Sequence, residues 1–256
     1  MVGTSDSMRR VKRDALLAAH VNPNVLVTGE RGAGKASLAR FIHDHGERSR
    51  YGFRRANCKG ASDLLLESLL FGHVQGSITG AYDDRPGLLE SIPGGTLLLS
   101  NVDRLSPQLQ DRLLRFLETG EYQRVGAKPV QTHLDVRVIA TTTADLAALV
   151  ADGLFLNGLY RRLAGIRLTV PSLRERRDDI PALVDHFAGE LAGRDSLGSD
   201  APDASISSVI RIAMSRDQWP GNVRELRTVV ERQLMGTFRP VTDPRQAAQQ
   251  HRGLVH

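Results

Sequence analysis

Only one of the 256 residues is a cysteine, Cys58, which excludes an intrachain disulfide and favours a reducing compartment. No apolar run approaches the length of a membrane span. The stretch from Ala15 to Val21 makes a poor signal peptide, because His20 interrupts it and Asn22-Pro23-Asn24 follows it. We therefore expect a cytoplasmic protein that does not enter a membrane.

The composition is that of a folded chain with a small excess of positive charge. At 256 residues and 41% hydrophobic, the chain can bury one good core and a smaller second one. A formal net charge of +5 and a pI near 9.8 permit contact with nucleic acid or an acidic partner. The margin of 34 basic over 29 acidic residues is modest, so a well-solvated surface is the simpler interpretation.

A glycine-rich turn at residues 29–36 has the context of a phosphate-binding loop. It follows the apolar run Val25-Leu26-Val27 and precedes a helix-like stretch from Ala36 to His43. Glycines let the backbone wrap a polyphosphate, the helix N-terminus adds positive potential, and Lys35 supplies a point charge. The alternative is a plain βα turn, since alanine at 36 cannot hold magnesium as serine or threonine would. The candidate nucleotide-binding residues of this loop are Gly29, Glu30, Arg31, Gly32, Ala33, Gly34, Lys35 and Ala36.

Strand-like and helix-like stretches alternate as far as Val170. Apolar runs predict strands at 25–27 and 96–99, and the stretches 53–58, 136–141 and 166–170 are also predicted as strands. The candidate apolar helix contacts are Met8, Val11, Leu16 and Leu17 near the N-terminus, and Leu64, Leu65, Leu69 and Leu70 in a short helix. The alternation predicts an α/β fold, a parallel sheet with helices on both faces.

The chain changes character at Pro171. Beyond it we find helical periodicity at 180–191, 206–214 and 223–234, which predicts a small helical domain. From Gly236 onward the composition is typical of a disordered tail. We therefore expect a nucleotide-binding domain at 1–170, a helical domain at 171–236 and a tail at 237–256.

Two other kinds of site find little support. His43 and His45 are close in sequence, but nothing nearby completes a metal-ligand set, so we expect a solvated helix end. No serine-histidine-aspartate arrangement stands out.

Between Gly72 and Ala81, three glycines suit an exposed, mobile loop tip.

From Val2 to Gly236 the chain resembles the AAA+ ATPase domain of bacterial enhancer-binding proteins, which remodel RNA polymerase carrying sigma-54. The glycine loop of that family typically reads GESGTGKE, here GERGAGKA, and its GAFTGA loop, which contacts sigma-54, corresponds here to Gly76, Ser77, Ile78, Thr79, Gly80 and Ala81. The stretches LFGH, GGTL, LLRFLETGEYQRVG, DVRVIA, LRER and WPGNVREL also resemble its blocks. The resemblance implies an αβα sandwich followed by a helical lid, ATP or ADP bound between subunits, and usually a hexameric ring.

The family's catalytic residues are only partly retained. Ser100-Asn101 stands where the family usually has the aspartate-glutamate pair of Walker B. The carboxylates that would hold magnesium and polarise the attacking water are therefore absent. Asp103 is a minor alternative as a metal ligand, and otherwise we assign no metal site. Of the two arginines that reach into a neighbouring subunit, Leu156 replaces the first and Arg162 keeps the second.

The resemblance also assigns sensor residues. Arg224 matches the lid arginine that senses the nucleotide, and Thr143 stands where the family has asparagine. Asn57 matches the asparagine that switches the Walker B glutamate. Without that glutamate we expect Asn57 to lack a partner and to cap a strand end instead.

We therefore expect an ATP-binding domain with impaired hydrolysis that contacts sigma-54 RNA polymerase weakly, in a homo- or hetero-oligomeric ring. Two alternatives stay open. The chain could be an active ATPase with compensating ligands, or a non-enzymatic ring partner with a vestigial nucleotide site. No helix-turn-helix unit follows the lid, so we do not expect the family's DNA-binding module in this chain.

Overall fold

The computed structural model describes residues 1–78, 82–127, 132–192 and 218–234. The chain divides into two compact units. The first consists of Met1 and Met8–Pro171, and the second of Val2–Ser7 with the chain from Ser172 onward. The predicted helix at 206–214 and the predicted tail at 237–256 lie outside the described residues.

A parallel sheet of five strands forms the centre of the first unit. The strands in chain order are β1 (Val25–Thr28), β2 (Phe53–Asn57), β3 (Gly72–His73), β4 (Arg85–Pro86), β5 (Thr96–Ser100), β6 (Glu121–Tyr122), β7 (Thr132–His133), β8 (Arg137–Thr142) and β9 (Ile166–Thr169). The sheet order is β2-β5-β8-β1-β9, with every pair parallel. The predicted parallel sheet is confirmed, and each predicted strand end lies within one residue of the observed one.

Helices cover both faces of the sheet and create two cores. Those of the described residues are α1 (Asp6–Ala19), α2 (Lys35–Asp44), α3 (Asp63–Phe71), α4 (Pro107–Thr119), α5 (Leu146–Ala151), α6 (Asn157–Leu163), α7 (Ile180–Ala192) and α8 (Asn222–Leu234). Successive strand residues point to opposite faces, so Leu97 and Leu99 enter one core and Leu98 enters the other. The first core includes Leu113 of α4, and the second includes Ile42 of α2. The predicted αβα layering is therefore confirmed.

Two predicted helix faces are only partly right, with Met8 and Leu70 buried as predicted. In α1, Leu16 and Leu17 are exposed, and three alanines with Met8 supply the buried contacts. In α3, Leu64, Leu65 and Leu69 are exposed, whereas Leu66, Leu70 and Phe71 are buried. Leucines occur on every side of α3, so hydrophobic periodicity alone cannot identify its buried face.

The prediction that the end of α2 is solvated is wrong for His43. Its ring is buried, its Nδ1 lies 3.0 Å from Thr96 Oγ1, and it packs against Phe53. Burial lowers the pKa of His43, because the charged ring would lose its hydration. His45 is exposed, as expected.

The second unit has its own core and fixes the N-terminal segment. Leu173, Ile180 and Val184 pack with Leu226 and Val230 of α8. The buried carboxylate of Asp179 accepts hydrogen bonds from the main-chain N–H groups of Thr4 (2.6 Å) and Ser5 (2.7 Å) and from Ser5 Oγ (2.9 Å). The buried carboxylate of Asp179 thus binds Thr4 and Ser5, which are far away in the sequence.

Replacing Asp179 with alanine should lower the free energy of unfolding of the second unit by roughly 3 kcal/mol, because buried N–H groups would lose a charged acceptor. The single tryptophan, Trp219, is buried in this unit and reports its unfolding in urea. Asp178→Ala is the matched control, since Asp178 is exposed, and it should change stability by less than about 0.5 kcal/mol. Equal urea midpoints for the two variants would contradict the assignment.

Candidate nucleotide-binding site

The predicted nucleotide site gathers at the carboxyl edge of the sheet. Parallel strands end at the same edge, and the register pairs Asn57 with Ser100 and Ser100 with Thr141. β1 ends at Thr28, which pairs with Thr142, and the glycine loop follows it. The glycine loop, the Walker B position and the strand end carrying Asn57 therefore share one edge.

The backbone of the loop favours glycine at three points, one of which is Gly32 with φ +79°. Gly29 has φ +140°, and a Cβ there would lie 2.6 Å from the carbonyl oxygen of Val170. Gly34 has φ +106° and directly precedes α2. Lys35 Nζ donates to the carbonyl oxygens of Gly29 (2.6 Å) and Glu30 (2.9 Å), so the ammonium group lies over the loop.

This geometry fits a polyphosphate. Among the described residues no side chain caps the N-terminus of α2, and a helix N-terminus is the end at which main-chain N–H groups bind anions. The ammonium group of Lys35 adds a positive charge beside them. The residues that would hold the phosphates are Gly32, Ala33, Gly34, Lys35 and Ala36, of which only Lys35 carries a charged side chain.

The Walker B position holds a pair of neutral side chains. Ser100 ends β5, and Asn101 follows in the left-handed region with φ 58° and ψ 50°. Asn101 Nδ2 donates to Asn57 Oδ1 at 2.7 Å, and Asn57 Oδ1 also accepts from the main-chain N–H of Lys59 at 3.1 Å. The prediction that Asn57 lacks a partner is therefore wrong, because the Asn101 amide donates to it from the position where a glutamate is expected. The prediction that Asn57 caps a strand end is confirmed, because Asn57 ends β2 and accepts from the N–H of Lys59.

Asp103 and Cys58 both contact neighbouring groups of the protein at this edge of the sheet. Thr142 Oγ1 donates to Asp103 Oδ1 at 2.6 Å, and Arg104 Nε lies 3.2 Å from the other carboxylate oxygen. Cys58 is buried, its N–H donates to Ser100 O, and burial together with the nearby Asp103 charge raises its pKa to about 12. Among the described residues, no group of three or more His, Cys, Asp or Glu side chains could hold a metal ion.

Comparison with known proteins identifies the family. Residues 1–169 match the model of the sigma-54 interaction domain, and residues 174–246 match that of the AAA+ ATPase lid domain. The chain belongs to the sigma-54 interaction domain family. The resemblance found in the sequence is thereby confirmed.

The relatives of this sigma-54 interaction domain are transcriptional regulators about twice as long. The Nif-specific regulatory protein of Azotobacter vinelandii is 41% identical over 91% of this chain and 43% of its own length. ZraR of Escherichia coli K12 is also 41% identical, over 91% of this chain and 52% of its own length. The crystal structure of NtrX from Brucella abortus in complex with ADP superposes with a TM-score of 0.79 at 32% identity, covering 93% of this chain and 52% of that one.

The other predicted site residues lie on or next to β8, α6 and α8. Thr143 follows β8 and is exposed. Arg162, in the last turn of α6, pairs with Glu118 of α4 at 3.5 Å. Leu156 directly precedes α6 and is partly exposed, and its N–H donates to Gln110 Oε1 at 2.7 Å. Arg224 is an exposed residue of α8 in the second unit.

The base of the loop that was predicted to be a mobile tip, residues 72–81, is more ordered than predicted. Gly72 and His73 are buried and pair with β4, so the stretch from Gly72 does not begin as a mobile tip. A Cβ on Gly72 would lie 2.4 Å from Arg85 O, which explains the glycine as a close approach of two main chains. Gly76 has φ +74°, Ser77 Oγ donates to Val74 O at 2.6 Å, and Ile78 is half-buried. Thr79, Gly80 and Ala81 lie outside the described residues.

A side-chain clamp holds this base, and sequence reasoning did not find it. Arg124 donates to both carboxylate oxygens of Glu90, at 2.6 and 3.0 Å, and Tyr122 Oη donates to the same carboxylate at 2.5 Å. Hydrogen bonding from Arg124 lowers the pKa of Glu90, and burial with the Glu90 hydrogen bond raises that of Tyr122 to about 12. The main chain of Val125 pairs with Gly72 and Val74, so the clamp anchors the loop. Tyr122 and Arg124 belong to the block LLRFLETGEYQRVG, which was the available signal.

No helix among the described residues combines the length and the apolar character needed to cross a bilayer.

Proposed function

We propose that this sigma-54 interaction domain binds ATP or ADP and hydrolyses ATP poorly or not at all. The observation that carries the proposal is the hydrogen bond between Asn101 and Asn57 at the Walker B position. An amide in this position cannot accept the proton of an attacking water, and general-base assistance is typically worth roughly 10² to 10⁴ in rate.

Nucleotide binding is supported by the loop geometry and by relatives. The glycine loop, the uncapped start of α2 and Lys35 are in place. NtrX from Brucella abortus, similar over 93% of this chain, has been crystallised with ADP and with ATP. Arg224 would add a second positive charge to a bound nucleotide, as the family resemblance implies.

Poor hydrolysis follows from several positions together. Ala36 and Ser100 offer no carboxylate for magnesium, and Leu156 cannot supply the charge of the missing arginine. Arg162, already paired with Glu118, would be the remaining arginine facing a neighbouring subunit in a homo- or hetero-oligomeric ring.

An active ATPase is the second candidate, and one observation bears on it. Asp103 is the acidic residue near Ser100, and its carboxylate would have to exchange its bonds to Thr142 and Arg104 for a metal ion. The existing hydrogen bonds therefore favour impaired hydrolysis over a substitute ligand.

The proposal is tested by titrating labelled ATP with and without magnesium, then measuring turnover on the same sample. We expect measurable affinity with little magnesium dependence, and phosphate release close to background. Turnover at the level of intact relatives would favour the active ATPase. Absence of any nucleotide binding would favour a ring partner with a vestigial site.

A separate prediction concerns the sigma-54 contact. Ile78 offers apolar surface but lacks the ring of the family's phenylalanine, whose stacking is worth roughly 0.5–1.5 kcal/mol beyond burial. We expect Ile78→Phe to tighten binding to sigma-54 by about tenfold or less without restoring promoter opening. Co-sedimentation with sigma-54 and an open-complex assay, both with nucleotide present, measure the two effects. Ile78→Leu is the matched control, and a chain that opens promoters unaided would contradict the prediction.

A further inference from the structure

The open edge of the sheet carries an unusual concentration of positive charge. Between positions 47 and 62 the chain has five basic residues and one acidic residue, Glu47. Arg48 is already paired with Asp135 at 2.8 Å. The other four, Arg50, Arg54, Arg55 and Lys59, are exposed and have no carboxylate partner among the described residues. We call these four residues the β2 basic edge.

The backbone at this edge is also available. Among the strands that the structure describes, β2 is the outermost and pairs only with β5. Gly52 O and Cys58 N bond to β5, so by alternation the N–H groups of Arg55 and Asn57 point to the open side. Main-chain N–H groups and guanidinium groups are the usual donors to phosphate oxygens.

The chemistry of the edge selects among possible partners. A protein partner would need an apolar centre, but Tyr51 is the one large exposed hydrophobic residue between positions 45 and 62, where every residue is described. A single-stranded nucleic acid would need aromatic rings for base stacking, and the guanidinium group of Arg50 already lies over the Tyr51 ring, at 5.1 Å. A duplex backbone needs neither, because phosphates are bound by charge and hydrogen bonds.

We propose that the β2 basic edge binds the phosphate backbone of duplex DNA without reading its sequence. Arg54 and Lys59 can lie at most roughly 16 Å apart along an extended chain, and a duplex presents one charge per about 1.7 Å of its axis. Several phosphates therefore face the edge at once. This binding does not depend on the nucleotide site.

A second basic cluster on α1 provides a strict comparison. Arg9, Arg10, Lys12 and Arg13 are close together, but α1 also contains Asp6 and Asp14, and Arg13 lies 3.5 Å from Asp14. Its positive charge is therefore partly neutralised within the helix. The β2 basic edge has no such internal carboxylates.

The test is fluorescence anisotropy of a labelled 30-bp duplex of arbitrary sequence over a series of salt concentrations. We expect a Kd of roughly 10⁻⁶ to 10⁻⁴ M at physiological salt, with log K falling linearly as log salt rises. Changing Arg50→Ala, Arg54→Ala and Arg55→Ala together should weaken binding about tenfold or more at low salt and reduce the salt slope by about two to three.

A variant with the same loss of charge, Arg10→Ala with Arg13→Ala and Arg161→Ala, should keep most of the affinity, because those exposed residues lie elsewhere. Circular dichroism and labelled-ATP binding on both variants establish that they are folded. An equal loss in the two variants, or no salt-dependent binding by the parent, would overturn the proposal. So would tighter binding of the matching single strand, or displacement of the duplex by polyglutamate at equal charge.

Discussion

Changing Ser100→Asp and Asn101→Glu together should raise ATP hydrolysis by roughly 10² to 10⁴, because a metal ligand and a base would be restored as a unit. Ser100 ends β5 beside Asn57 in the neighbouring strand, so an aspartate there reaches the same sheet edge as the glycine loop. A glutamate at 101 would meet Asn57, whose amide can turn to donate a hydrogen bond to it. Steady-state phosphate release with saturating ATP and magnesium measures the change.

The matched control is Ser100→Asn with Asn101→Gln, which adds similar volume without charge and should leave turnover at background. Each single acidic change should give far less than the pair, since the two groups act together. Adding Leu156→Arg should increase the rate further, provided that subunits assemble. A parent that already hydrolyses ATP like intact relatives would contradict this account, as would an equal gain in the amide control.

Removing the ammonium group by Lys35→Ala should weaken ATP binding by roughly 10- to 150-fold, since charge-assisted hydrogen bonds contribute about 1.5–3 kcal/mol. Lys35 is the one charged side chain among the five residues that would hold the phosphates. The loss should be larger for ATP than for adenosine, because only the phosphates contact the loop. Calorimetric titration of both ligands measures the difference.

Two variants make this result interpretable. Lys35→Arg keeps the charge but changes its shape and reach, so it should recover part of the affinity. Arg10→Ala removes an exposed charge from α1 and should leave the affinity unchanged. If Lys35→Ala binds ATP as tightly as the parent, the phosphate-loop assignment is wrong.

The sheet could be predicted from the sequence because β1 and β5 are short apolar runs next to glycine and because strand-like and helix-like stretches alternate along the chain. The glycine loop could also be recognised in the sequence, because all of its residues lie within eight consecutive positions. The faces of α1 and α3 were not, because Leu17 and Leu65 are as apolar as the residues that are buried. Periodicity cannot rank two faces that are both apolar.

Contacts between distant residues also escaped prediction. The Asn101–Asn57 hydrogen bond depends on a left-handed backbone at Asn101. Asparagine tolerates this conformation, but an asparagine in the sequence does not predict it. Asp179 holds Ser5 across 174 positions of sequence, and the Glu90–Arg124 clamp spans 34. Such pairs follow from the folded chain: the block LLRFLETGEYQRVG draws attention to Tyr122 and Arg124 but does not show that they contact Glu90.

The reactivity of Cys58 can report local opening of the folded chain. A thiol with a pKa of about 12 is almost entirely protonated at neutral pH, and burial shields it further from reagents. Alkylation must then wait for transient separation of the ends of β2 and β5, where Cys58 N–H bonds Ser100 O. Since the chain has no other cysteine, the rate of labelling by a maleimide counts those openings without any engineered probe. A ligand that stabilises the ends of β2 and β5 would therefore lower the rate of maleimide labelling of Cys58.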